Sequence, residues 1–241
     1  MKVIKPHCRL QFTAEDLDFI LATLGQGAGS RDALERLLVE EESRDAILDD
    51  ETLFHALLEQ RQCLRISARF YFYVLVRQVF RRAGLTDRAV ADYVAELLAD
   101  YSRLENTRCQ PAGQPRPLDY FFEMLAAMQG ADDYTAFMLR THIGNYSLFL
   151  SGLYPGRIRS RAELRGAPDL HYYEAIGQAN FRVASDHRLA REYELAPIYA
   201  TLAEHFHTTR CALNDMTDRL LNLGDADVPL ALLLGEPGGA N

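Results

Sequence analysis

The chain has no tryptophan and only two lysines, Lys2 and Lys5, although it carries 26 basic and 34 acidic residues in 241. The resulting charge of -8 argues against a broad nucleic-acid or anionic-membrane surface, because such surfaces set many cations against phosphates. Nucleic acid is therefore not an expected partner, although a local basic patch is compatible with the composition. The preference for Arg over Lys reads as the mark of a GC-rich bacterial genome. The four cysteines, Cys8, Cys63, Cys109 and Cys211, stand far apart without a C-x-x-C pair. That spacing suggests neither a zinc ribbon nor a disulfide scaffold, and reduced thiols in a cytoplasmic protein fit it best. Met1 to Phe12 mixes charges with Pro6 and His7 and lacks the basic, apolar, small-residue order of a signal peptide. The longest uncharged run, Thr141 to Gly156, contains His142 and Asn145 and is too short and polar to cross a bilayer. Strand signals are nearly absent, and so are G-x-S-x-G, H-E-x-x-H and Walker sequences.

What is present is an ordinary globular balance of 48% apolar and 25% charged residues. Capping residues recur before apolar-periodic stretches: Thr13, Ser30, Asp50, Thr86, Asp119 and Asp169. They predict an all-α array of about nine helices near 14–24, 30–41, 44–61, 65–83, 87–105, 119–129, 132–153, 169–192 and 195–222. The expected layout is a single domain over 1–223, with 13–62 as its more polar part. A tail follows over 224–241, in which 228–234 docks and 235–241 is loose. Ile66 to Val79 is apolar almost all round, as a helix enclosed by others must be, so 65–83 is the expected central helix.

Arg65, Arg69, Arg77 and Arg81 share one stripe of that helix and are the candidates for anion binding. The alternative is pairing with the acidic stretch Glu40 to Glu51. Gly25-x-Gly27-x-Gly29-Ser30 has the look of a phosphate loop, but it follows a helix and lacks a Gly-Lys-Ser/Thr ending, so a helix stop and a Ser30 cap explain it. Glu204-x-x-His207 has a metal-ligating spacing. Helical projection nevertheless turns it away from the face of Ile198, Leu202, Phe206 and Leu213, and no metal is expected there. His171 and Glu174 project away from a face predicted as Tyr172, Ile176, Ala179 and Val183.

On the 132–153 helix, by contrast, His142 and Tyr146 fall within the apolar face and should be buried with hydrogen-bond partners. Asp186 and His187 lie at the edges of the facing helix, so His142, Tyr146, Asp186 and His187 are the candidate ligand-binding cluster. Asp186 is the best partner for His142 by this projection. Gly144, Ser147 and Ser151, near Arg140, permit a close approach by a neighbouring helix. No cofactor is implied. The sequence favours a non-catalytic interaction or regulatory protein, engaging a protein partner or a second copy of itself. The rival is a helical enzyme or small-molecule-binding protein built around an internal Tyr/His cavity.

Overall fold

The computed structural model describes residues 2–25, 31–59 and 65–223. The protein is all-α: among these residues thirteen α-helices and two 3-10 turns carry the chain, and extended backbone pairs only in an isolated bridge between Cys109 and Leu118. Gly27, Gly29, Ser30, Cys63 and the tail over 224–241 lie outside the described residues. The helices fall into two compact units, one built from 2–5 and 100–214, the other from 6–99 and 215–223.

In the second of these, α1 (Ala14–Leu24), α2 (Arg31–Val39), α3 (Glu41–Leu48) and α4 (Glu51–Glu59) precede α5 (Ala68–Arg82) and α6 (Arg88–Tyr101), whose last two residues, Asp100 and Tyr101, belong to the first unit. Thr13 and Asp16 cap α1 reciprocally, with Thr13 Oγ1 accepting from the Asp16 N–H at 3.2 Å and Asp16 Oδ2 accepting from the Thr13 N–H at 2.8 Å. The same buried Asp16 also accepts from the Ser67 N–H at 2.7 Å and from the Ser67 hydroxyl at 2.8 Å, while Ser67 caps α5. One carboxylate thus satisfies two helix starts, which is how a buried charge remains tolerable. Every residue from Phe70 to Phe80 of α5 is buried, as its all-round apolarity predicts.

The other unit contains α7 (Phe121–Ala127), α8 (Asp133–Leu153), α9 (Pro155–Arg165), α10 (Leu170–Ser185), α11 (Arg188–Glu192), α12 (Ala196–Glu204) and the start of α13 (Phe206–Leu223). Helices α8 and α10 approach closely through glycines. A Cβ on Gly144 would lie 2.8 Å from the Phe181 ring, and one on Gly177 would lie 3.1 Å from Ser147 Cβ and closer still to Phe206. Ser147 Oγ donates to the Tyr173 carbonyl across this contact, so the small-residue stripe of α8 is used within the chain.

Four expectations about these helices need correction. The predicted 169–192 helix stops at Ser185, because His187 Nδ1 accepts from the Leu189 N–H and caps a new helix. The inward face of α10 is Gly177, Asn180, Phe181 and Ala184, one residue on from the projected one, and Tyr172, Ala179 and Val183 are exposed. The 195–222 helix breaks at His205. Finally, 155–165 is helical although it reads as a loop, with Pro155 at its first position and Gly166 at φ +61° just past its end.

Candidate functional site

His142 sits on α8, 7% exposed, with its Nδ1 3.2 Å from the Tyr101 hydroxyl. Its ring stacks on Tyr146 with centroids 5.8 Å apart, and Tyr101 meets Phe149 edge-on at 5.3 Å. Burial pushes the imidazole pKa down to about 4, so the ring is neutral at pH 7. Its Nε2 has no hydrogen-bond partner among the described residues. His142, Tyr101, Thr141, Asn145 and Asn106 line a cavity of about 30 Å³. That volume suits about one water molecule and is an order of magnitude below a small-molecule site.

The four expected cluster residues do not converge. His142 and Tyr146 belong together, but Asp186 is exposed at the end of α10, and the place assigned to it is taken by Tyr101. His187 turns instead to Asp133, with Nε2 2.9 Å from Oδ1, and stacks on Phe137 at 4.9 Å. Sequence reasoning missed Tyr101, although Val90, Val94, Leu97, Leu98 and Tyr101 share one helical face and so marked it as buried.

Of the arginine stripe, Arg77 is buried and donates to Asp49 at 2.8 and 3.1 Å, and Arg81 donates to the Asp49 carbonyl at 2.8 Å. Arg69 is exposed and binds Glu96 through Nε and Nη2 at 2.8–3.0 Å. Arg65 is exposed. The stripe is thus engaged by the protein's own carboxylates at Arg69 and Arg77 rather than forming an open anion groove. Glu204 and His207 are both exposed, on separate helices. Among the described residues no three His, Cys, Asp or Glu side chains converge as metal ligands. Glu174 is half-buried rather than turned away, and is ion-paired to Arg210 on α13.

A further surface feature lies outside all of these residues. Tyr120 and Phe122 flank Phe121 at the start of α7 and stack on each other at 5.5 Å, Phe122 being 66% exposed. Phe121 points inward to Tyr173 at 5.6 Å and to Tyr172 at 6.3 Å. On α9, Arg157, Arg161, Leu164 and Arg165 share one face at the i, i+4, i+7, i+8 spacing, all are exposed, and Leu164 is 80% exposed. Burial raises the pKa of Tyr173 and of Tyr146, and the positive charges of Arg157 and Arg161 pull against that rise. Tyr173 is thus the residue that meets Phe121 of α7 on one side and feels the α9 cations Arg157 and Arg161.

No family model, curated protein or solved structure matches the chain. No described helix is long and apolar enough to cross a membrane.

Proposed function

We propose that this chain is a non-catalytic interaction protein whose α7 and α9 surface docks an acidic, partly apolar segment of a protein partner. The observations that carry this reading are the stacked, solvent-facing Tyr120–Phe122 pair and the α9 face bearing Arg157, Arg161 and Arg165 around the exposed Leu164, linked through Tyr173, which meets Phe121 and feels the charges of Arg161 and Arg157. Exposed aromatics and arginines are the residue types that anchor interfaces, since they bury large area while keeping polar handles. The α9 helix carries four arginines and one acid, Glu163, within a chain of net charge -8. A carboxylate-bearing segment meets attraction there, whereas a long polyanion would meet repulsion from the rest of the protein. The cavity beside His142 supports the same reading, because it is too small for a metabolite.

Selection from a displayed peptide library, followed by anisotropy titration of the enriched peptides, tests this. The expected ligands alternate Asp or Glu with apolar residues, and each of Phe122→Ser and Arg161→Glu weakens them by about tenfold or more. No enrichment, or binding indifferent to both substitutions, would remove the proposal. Tight oligonucleotide binding lost in Arg161→Glu would replace the acidic peptide with nucleic acid.

A further inference from the structure

The first turns of α13 carry His207, Arg210 and Cys211, and α10 brings Glu174 to them. His207 Nδ1 lies 3.0 and 3.2 Å from the two Glu174 oxygens, and its Nε2 lies 3.6 Å from Cys211 Sγ. Arg210, nearly buried, donates from Nη2 to the same sulfur at 3.3 Å, from Nε to Glu174 and from Nη1 to Asn214 at 2.6 Å. Cys211 itself is exposed.

The geometry points to Cys211 as a nucleophilic thiol that exchanges with low-molecular-weight disulfides, with His207 as its base and Glu174 as the positioning residue. The i, i+4 spacing puts imidazole and thiol on one side of the helix, within hydrogen-bond reach for sulfur. A carboxylate at 3.0 Å calls for a proton on Nδ1, which leaves Nε2 as the acceptor facing the thiol. The Arg210 Nη2 contact to Nδ1 would ask for the opposite tautomer, but at 3.5 Å it is the longer and weaker one. Arg210 also sets positive charge where the thiolate's negative charge develops, which is what makes a cysteine reactive.

The step balances without another reagent. Nε2 takes the thiol proton, the Cys211 sulfur attacks one sulfur of the disulfide, and a new S–S bond forms as the old one breaks. The departing thiolate recovers the proton from Nε2 and leaves as a free thiol. The other described cysteines cannot compete, because burial pushes Cys109 up to about 12 and Cys8 well above the ordinary thiol range. The site shares none of the residues of the α7 and α9 surface named above, and its test does not depend on that surface.

The experiment uses the full chain in a Cys63→Ser background and dipyridyl disulfide as the probe, following release of thiopyridone. One equivalent reacts faster than it does in the guanidinium-unfolded protein, and this phase disappears in Cys211→Ser. His207→Gln slows it by roughly tenfold or more, the scale of a lost general base. Glu174→Gln slows it as well, and the nitrogen-15 spectrum of His207 passes from one tautomer to a mixture. That change of tautomer separates positioning from mere structural support. If Cys211 reacts no faster than in the unfolded chain, or if its rate is unchanged in a folded His207→Gln variant, the assignment is overturned.

Discussion

The Tyr101 hydroxyl stands 3.2 Å from His142 Nδ1, joining the end of α6 to the middle of α8 inside one unit. Among the described residues this is the one hydrogen bond of the buried imidazole, since Nε2 has none there. Tyr101→Phe keeps the ring and its contact with Phe149 while stranding Nδ1 away from bulk water. A loss of about 1–3 kcal/mol in denaturant unfolding is expected. Asp186→Asn, at the exposed end of α10, should stay within about 0.5 kcal/mol of the parent. Equal effects would mean that the Tyr101 contact contributes nothing.

Acid should weaken the protein through the same histidine. The folded pKa of about 4 lies below the ordinary 6.5, so between these values the unfolded chain binds more protons than the native one. Stability from His142 is therefore full above about pH 6.5 and is lost as pH falls towards 4, on the order of 3 kcal/mol in all. Asp92 runs the other way, since burial raises it to about 6 and its protonation favours the fold as pH falls from there. An NMR titration of the His142 ring protons should find a midpoint near 4, and an Asp92→Asn variant should lose stability more steeply on acidification. A His142 midpoint near 6.5 would contradict the burial.

Much of this was legible in the sequence. The all-α class, the capping by Thr13, the enclosed helix around Phe70 to Phe80 and the burial of His142 follow from periodicity and cap chemistry, which are local. The face of α10 was not legible, because projection weights Tyr172 and Val183 by hydropathy and gives Gly177 no weight. Packing reverses that order, since the missing side chain of Gly177 is what admits Phe206 and Ser147. Once the face shifts by one residue, Glu174 moves from solvent to a half-buried position against α13, and its grouping with His207 and Cys211 becomes visible. Helix α9 was obscured by its charge, although Pro155 and Gly166 bracketed it correctly.

Gly177→Ala tests that packing argument with a sign opposite to helix propensity. In an open helix the substitution would stabilise by up to about 1 kcal/mol. Here the new Cβ meets the Phe206 ring, so about 1–3 kcal/mol of destabilisation is expected from overpacking. Gly156→Ala, where a Cβ meets nothing within 4 Å, serves as the control and should not destabilise. Thermal unfolding of both variants checks the contrast, and a stabilised Gly177→Ala would show that Phe206 yields freely.

Asp49 is the residue whose loss should cost most among the ion pairs described. Its carboxylate accepts from Arg77 Nε at 2.8 Å, Arg77 Nη2 at 3.1 Å and Arg88 Nη2 at 3.0 Å, and its carbonyl accepts from Gln78 at 2.7 Å and Arg81 at 2.8 Å. Burial by itself would raise its pKa, but the hydrogen bonds and charges of Arg77 and Arg88 outweigh that and hold it below the ordinary carboxylate value. With the folded pKa below the unfolded one, its stabilisation is present above about pH 4 and disappears as pH falls through the folded value. Asp49→Ala at neutral pH leaves the Arg77 guanidinium, 4% exposed, without its countercharge. Stranding one member of a buried pair costs about 3–5 kcal/mol, far more than an exposed pair is worth. Arg188→Ala, which breaks the exposed pairing with Glu192, should by comparison change stability by less than about 1 kcal/mol. If urea unfolding finds the two variants alike, the Asp49–Arg77 pair is effectively solvated. If it finds Asp49→Ala deeply destabilised at pH 7, with the gap to the parent narrowing in acid, the carboxylate acts as the buried anchor of α5.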